Sequence, residues 1–150
     1  MSDPQIQLCL VLHNHQPVGN FDGVFEDAYQ NSYLPFLNVF EKFADLSISL
    51  HTSGPLMQWL QTNHPDYLNR IAQLAEAGRI EIIGGAFYEP ILPMIPRRDR
   101  VGQITRFTKW LNERVCSSVS GMWMPERVWE SCLTESLADS NIQYTVLDDY

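Results

Sequence analysis

The stretch Gly121-Met122-Trp123-Met124-Pro125-Glu126-Arg127-Val128-Trp129-Glu130 sets a carboxylate beside an arginine, between two tryptophans, after a short apolar run at 118–122. A strand ending in such a loop is where α/β proteins collect active sites. Beside a guanidinium, Glu126 stays ionised near neutral pH, as a nucleophile or electrostatic stabiliser must. The indole faces of Trp123 and Trp129 suit sugar rings, whose axial hydrogens form apolar patches beside polar hydroxyls. The same residues also fit an ordinary helix start. Pro125 would then occupy the first turn, Glu126 would favour the dipole and the tryptophans would lie in the core. Spacing alone leaves both readings open.

A second chemical cluster is His13-Asn14-His15-Gln16-Pro17, which follows the nearly continuous apolar run at 6–12. On an extended strand His13 and His15 point to one face, and Pro17 stops the pairing. Two imidazoles there suit hydrogen bonding to a substrate, metal ligation or capping of the sheet. No third ligand of suitable spacing lies nearby, so no metal and no cofactor are assigned. Glu81 is the one charged residue inside an apolar strand at 79–84, and a charge there is costly unless paired or facing a polar cavity. An edge strand with Glu81 in water is the plainer alternative. Glu89 sits in the middle of a proline-rich loop at 85–96, whose aromatics read as exposed and cleft-lining.

The elements that must position these groups alternate. Strands are expected at 6–12, 46–50, 79–84, 118–122 and 144–147, each apolar run consistent with a sheet covered on both faces. Helices are expected at 24–44, 56–62, from Pro65 to Gly78, at 99–115 and at 133–138. Pro35 falls in the first turn of the second half of the long segment. Ser53 with Pro55 reads as a helix entry, and His51 as a structural strand-end residue. This order predicts an α/β protein with parallel strands.

The chain has 150 residues, 45% of them hydrophobic and 19% charged, which suits one packed globular domain. A net charge of −8 without a basic run argues against nucleic acid and anionic membrane as partners. The cysteines Cys9, Cys116 and Cys132 form no CxxC pair. That suits free thiols in a reducing, cytoplasmic setting. The start Met1-Ser2-Asp3-Pro4-Gln5 lacks the basic and apolar regions of a signal peptide.

Three motifs in order carry a resemblance: His13 to Phe21 (HNHQPVGNF), Gly78 to Ile91 (GRIEIIGGAFYEPI) and Trp123 to Trp129 (WMPERVW). Together they resemble glycoside hydrolase family 57, and within it the 4-α-glucanotransferase and α-amylase branch. The resemblance implies an incomplete (β/α)7 barrel and a retaining mechanism on α-1,4-glucans or maltooligosaccharides. Glu126 matches the catalytic nucleophile, and His13, His15, Glu81 and Trp123 match residues lining sugar subsites. Glu89, Arg127 and Trp129 belong to the extended motifs, with roles less fixed by the resemblance. The family's acid/base aspartate belongs to a motif downstream of Tyr150, and Asp148 and Asp149 do not match it. These residues therefore read as the N-terminal part of a larger catalytic barrel, inactive without the remainder of that barrel. Two other readings are a metal-dependent deacetylase-like barrel using His13, His15 and a carboxylate, and a glucan-binding module without turnover.

Overall fold

The computed structural model describes residues 6, 8–116 and 118–149. Among the described residues five short strands alternate with helices: β1 (Val11–Asn14), β2 (Ile48–Thr52), β3 (Ile80–Ile83), β4 (Gly121–Trp123) and β5 (Tyr144–Val146). Strands β1, β2 and β3 pair in parallel in that order, and β4 pairs in parallel with β5. A parallel bridge between Gly84 and Met122 joins the two sheets, so spatial order follows chain order from β1 to β5. This is the strand sequence of the opening part of a β/α barrel, in agreement with the expected fold class.

The first two strands lie later than the apolar runs suggest. Leu8 is 80% exposed, while pairing begins at Val11, which lies opposite Ser49. Hydrogen bonding rather than hydropathy sets these ends, because a strand extends only where a partner runs beside it. The shift carries His13 and His51 into the sheet and makes them cross-strand neighbours.

The long segment after β1 is broken into α1 (Asp22–Ala28), a π-helical stretch (Tyr29–Tyr33) and α2 (Leu34–Phe40). Pro35 occupies the first turn of α2, as expected. It has no N–H to offer the preceding turn, which accounts for a wider turn at this point. Next come α3 (Gly54–Asn63) and α4 (Pro65–Glu76), after which Gly78 turns the chain with φ +71°. Ser53 precedes α3 but makes no side-chain cap; its hydroxyl instead donates to the Gln16 carbonyl and accepts from the Gln16 N–H. Helix α5 (Arg97–Arg114) leads to β4, and α6 (Leu133–Asp139) leads to β5.

The helices bury their apolar stripes against one face of the sheet. Ile48, Leu50, Ile80 and Ile82 meet Leu37, Leu60, Ile71 and Leu111 in the main core. Each such side chain contributes roughly 1.5–3 kcal/mol on burial. Phe87, which reads as exposed from its loop, is 1% exposed and stacks edge-on against Phe107. Its approach to α3 is so close that a Cβ on Gly54 would lie 2.4 Å from the Phe87 carbonyl oxygen. Packing of this loop residue anchors the segment that carries Glu89. The alternate strand positions, His13, Ser49, His51 and Glu81, face the other way. No helix of the described residues is long and apolar enough to cross a membrane.

Candidate active site

The parallel register lays the inward-facing residues out in layers. His13, His51 and Ile83 are level, while Val11, Ser49 and Glu81 form the layer toward the strand starts. At the upper level the rings of His13 and His51 stack at 4.9 Å, with their Nδ1 atoms 2.7 Å apart. Trp123, at the end of β4, lies flat on His13, with centroids 4.5 Å apart and planes 9° from parallel. Gly85 permits this closeness: a Cβ there would stand 2.7 Å from His51 Nε2.

Glu89 reaches into this group from the loop after β3. Its Oε2 is 2.6 Å from His15 Nδ1 and 3.8 Å from His13 Nε2, and its Oε1 is 3.6 Å from His51 Nδ1. The side chain is only 7% exposed, and Oε1 has no hydrogen-bond partner. Burial, and then the charge of Glu126, push the Glu89 carboxyl up to about 8. Burial lowers His13 to about 4 and holds His51 well below its ordinary value, each aided by neighbouring imidazoles. The cluster is therefore built from neutral groups at neutral pH. His15 is also lowered by burial, against an opposing pull from Glu126. Glu126 is thus electrostatically joined to both members of the His15–Glu89 pair.

Glu126 itself is exposed, on the short turn Pro125–Arg127 just past β4. The turn is not a helix start, because Glu126 has φ 51°, ψ 9° and Arg127 has φ 55°. Glu89 likewise has φ 50°. Left-handed conformations at non-glycine residues cost of order 1–3 kcal/mol and concentrate at functional sites. Arg127 Nε pairs with Asp148 Oδ1 at 2.5 Å, and the guanidinium lies 5.9 Å from the Trp123 ring centre. This ion pair ties the turn after β4 to the end of β5. Trp129 lies beyond the turn, 36% exposed. The core placement that a helix start would give the tryptophans is not found.

The fold thus brings together His13, His15, Glu89 and Trp123, with Glu126 and Arg127 on the adjoining turn. It keeps Glu81 apart, in the lower layer. There Glu81 accepts hydrogen bonds from Ser49 Oγ at 2.7 Å and from the Tyr144 hydroxyl. His51, read from sequence as structural, is fully buried at the centre of the cluster. The available signal was that β1 and β2 each carry a histidine one residue before their end. Among the described residues, His13, His15 and Glu89 are the set whose donor atoms converge within 4.8 Å, close enough for a cation. The third donor is missing from local spacing because it comes from the loop after β3. A buried, largely neutral cluster beside an exposed carboxylate at the strand ends can position a polar ligand and attack it.

Comparison with known proteins identifies the family and agrees with the fold. The family model for glycosyl hydrolase family 57 matches residues 9–150. Alpha-amylase 1 of Dictyoglomus thermophilum is 48% identical over 144 residues, covering 96% of this chain and 21% of its own length. The 4-alpha-glucanotransferase of Thermococcus litoralis is 42% identical over 146 residues, covering 97% of this chain and 22% of its own. The crystal structure of the Thermococcus litoralis 4-alpha-glucanotransferase superposes with a TM-score of 0.91 over 95% of this chain and 22% of that one. The chain thus spans about a fifth of the length of these relatives.

Proposed function

The chain belongs to glycosyl hydrolase family 57, and from that premise we propose that it forms the N-terminal part of a retaining α-glucan-active barrel, of α-amylase or 4-α-glucanotransferase type. Glu126 is the nucleophile. The observation that carries this reading is its placement: an exposed carboxylate on a strained turn at the end of β4, beside a buried imidazole–carboxyl cluster. Trp123, braced by His13, offers an indole to a glucose ring, and His15 offers an imidazole edge to its hydroxyls. Such contacts hold the anomeric carbon in line for attack.

Attack by Glu126 on the anomeric carbon forms a glycosyl–enzyme bond as the bond to the leaving oxygen breaks, and a second carboxyl must protonate that oxygen from about 5–5.5 Å. Glu89 is not assigned this role, because its Oε1 is buried and its Oε2 is engaged by His15 at 2.6 Å. The acid/base comes from the remainder of the barrel, so residues 1–150 alone are inactive. Water then releases the sugar in a hydrolase, and the 4-hydroxyl of another glucan releases it in a transferase.

The test is incubation of the complete polypeptide with maltotriose, as wild type and as Glu126→Ala, with products followed by chromatography. Longer maltooligosaccharides plus glucose from wild type alone establish transfer. Shorter sugars alone establish hydrolysis. Full activity in Glu126→Ala removes the nucleophile assignment.

A further inference from the structure

Glu89 is the group through which the histidines of the site are organised. One carboxyl lies within 4 Å of a nitrogen on each of three imidazoles, carried by β1, by the residue just past it and by β2, and its own backbone is held in the left-handed region at φ 50°. That conformation is fixed from below: the Glu89 N–H donates to the Ala86 carbonyl, the Tyr88 N–H donates to Gln103 Oε1, and Phe87 is locked in the core. A strained residue set this firmly, with its side chain turned inward, is placed to orient its neighbours rather than to meet a ligand.

We propose that Glu89 is a positioning residue that fixes the ring orientation and tautomer of His15, so that His15 Nε2 carries its hydrogen toward a sugar oxygen bound beside Glu126. The proposal rests on the reading of Glu126 as nucleophile. His15 Nδ1 is committed to Glu89 at 2.6 Å, while the ring is 40% exposed and its other nitrogen is left for the cleft. A neutral carboxyl donates its O–H to Nδ1, and a neutral imidazole that accepts at Nδ1 must hold its hydrogen on Nε2. His13, His51 and Glu126 are the other titratable groups facing Glu89. The first two are imidazoles held below their ordinary values, and the uncharged acid is favoured first by burial and then by the charge of Glu126.

The experiment compares Glu89→Gln and Glu89→Ala in the complete polypeptide, reading kcat/KM on maltotriose and the nitrogen-15 shifts of His15. A glutamine amide donates to Nδ1 as the acid does, so Glu89→Gln stays within about tenfold of wild type. Glu89→Ala falls about a hundredfold, the scale of a misplaced binding group. His15 shows the Nε2–H tautomer in wild type and Glu89→Gln, and a mixture in Glu89→Ala. An Nδ1–H tautomer in wild type overturns the proposal, as does Glu89→Gln falling as far as Glu89→Ala, or no loss in Glu89→Ala. If Glu89→Ala does not fold, the tautomers of wild type and Glu89→Gln decide. If wild type lacks glucan activity, the functional reading fails, and the tautomer still decides the role of Glu89.

Discussion

Glu89 and Glu81 face the same side of one sheet from opposite ends of its strands, and they live in opposite regimes. Glu81 is open to solvent and satisfied by two hydroxyls, from Ser49 and Tyr144. Glu89 is sealed, faces three imidazoles and a second carboxylate, and leaves one oxygen without a partner. Water offsets the cost of a charge at Glu81, whereas at Glu89 the cost remains and the proton stays on. The lesson is that a carboxylate's role in this sheet follows from its layer, not from its residue type.

The largest effect that tests this contrast is on turnover. Glu126→Gln in the complete polypeptide should lower kcat by at least about 10³-fold, as loss of a nucleophile does. Glu81→Gln, in the lower layer and satisfied by Ser49 and Tyr144, should leave kcat within about tenfold of wild type. Equal losses in steady-state assays would erase the distinction between the layers.

Next in size is the pH dependence of stability. The Glu89 carboxyl is raised from 4.5 to about 8, so the folded state holds a proton that the unfolded state releases. Stability from this group is complete below about pH 4.5 and declines as pH rises toward 8, by roughly a few kcal/mol. The lowered values of His13 and His51 slope the other way at acid pH. The quantity to measure is therefore the difference between wild type and Glu89→Gln. Denaturant midpoints from pH 5 to 9 should show Glu89→Gln gaining on wild type as pH rises. A constant gap would mean that Glu89 is ionised throughout.

Smaller effects separate the layers by rigidity. A Cβ at Gly85 stands 2.7 Å from His51 Nε2, on a ring that is fully buried and held by His13. Gly85→Ala should cost about 2–3 kcal/mol by overpacking. The nominal clash at Gly121 is closer, with the Cβ 2.1 Å from Tyr144 Cζ, yet Tyr144 is 39% exposed and has solvent to swing into. Gly121→Ala should therefore cost less, about 1 kcal/mol, in thermal denaturation. Smallest of all, Tyr144→Phe removes one donor from the exposed Glu81 and should change stability by less than about 1 kcal/mol.

Much of the chain was legible before any coordinates. Alternating apolar runs and helical stripes gave five parallel strands and the helices between them, because periodicity reports which face is buried. The left-handed turn at Gly78 and the break at Pro35 followed from backbone chemistry alone. Residue types at 13, 15 and 123–129 left a sugar site, a plain helix start and sheet caps all open, and the three motifs together carried the family resemblance, which the family match bears out.

Strand register, however, depends on which backbone runs alongside, and no local pattern contains that. Only pairing of β1 with β2 set His13 against His51. Only the folding back of the loop after β3, anchored by buried Phe87, brought Glu89 to His15. Burial of that carboxyl, and with it the protonation of the whole cluster, is a property of packing between segments far apart in sequence. The sequence by itself determined which groups were available and on which face of each strand they stand; the tertiary structure decided which of them share a layer, because desolvation and contact exist only once the strands are side by side.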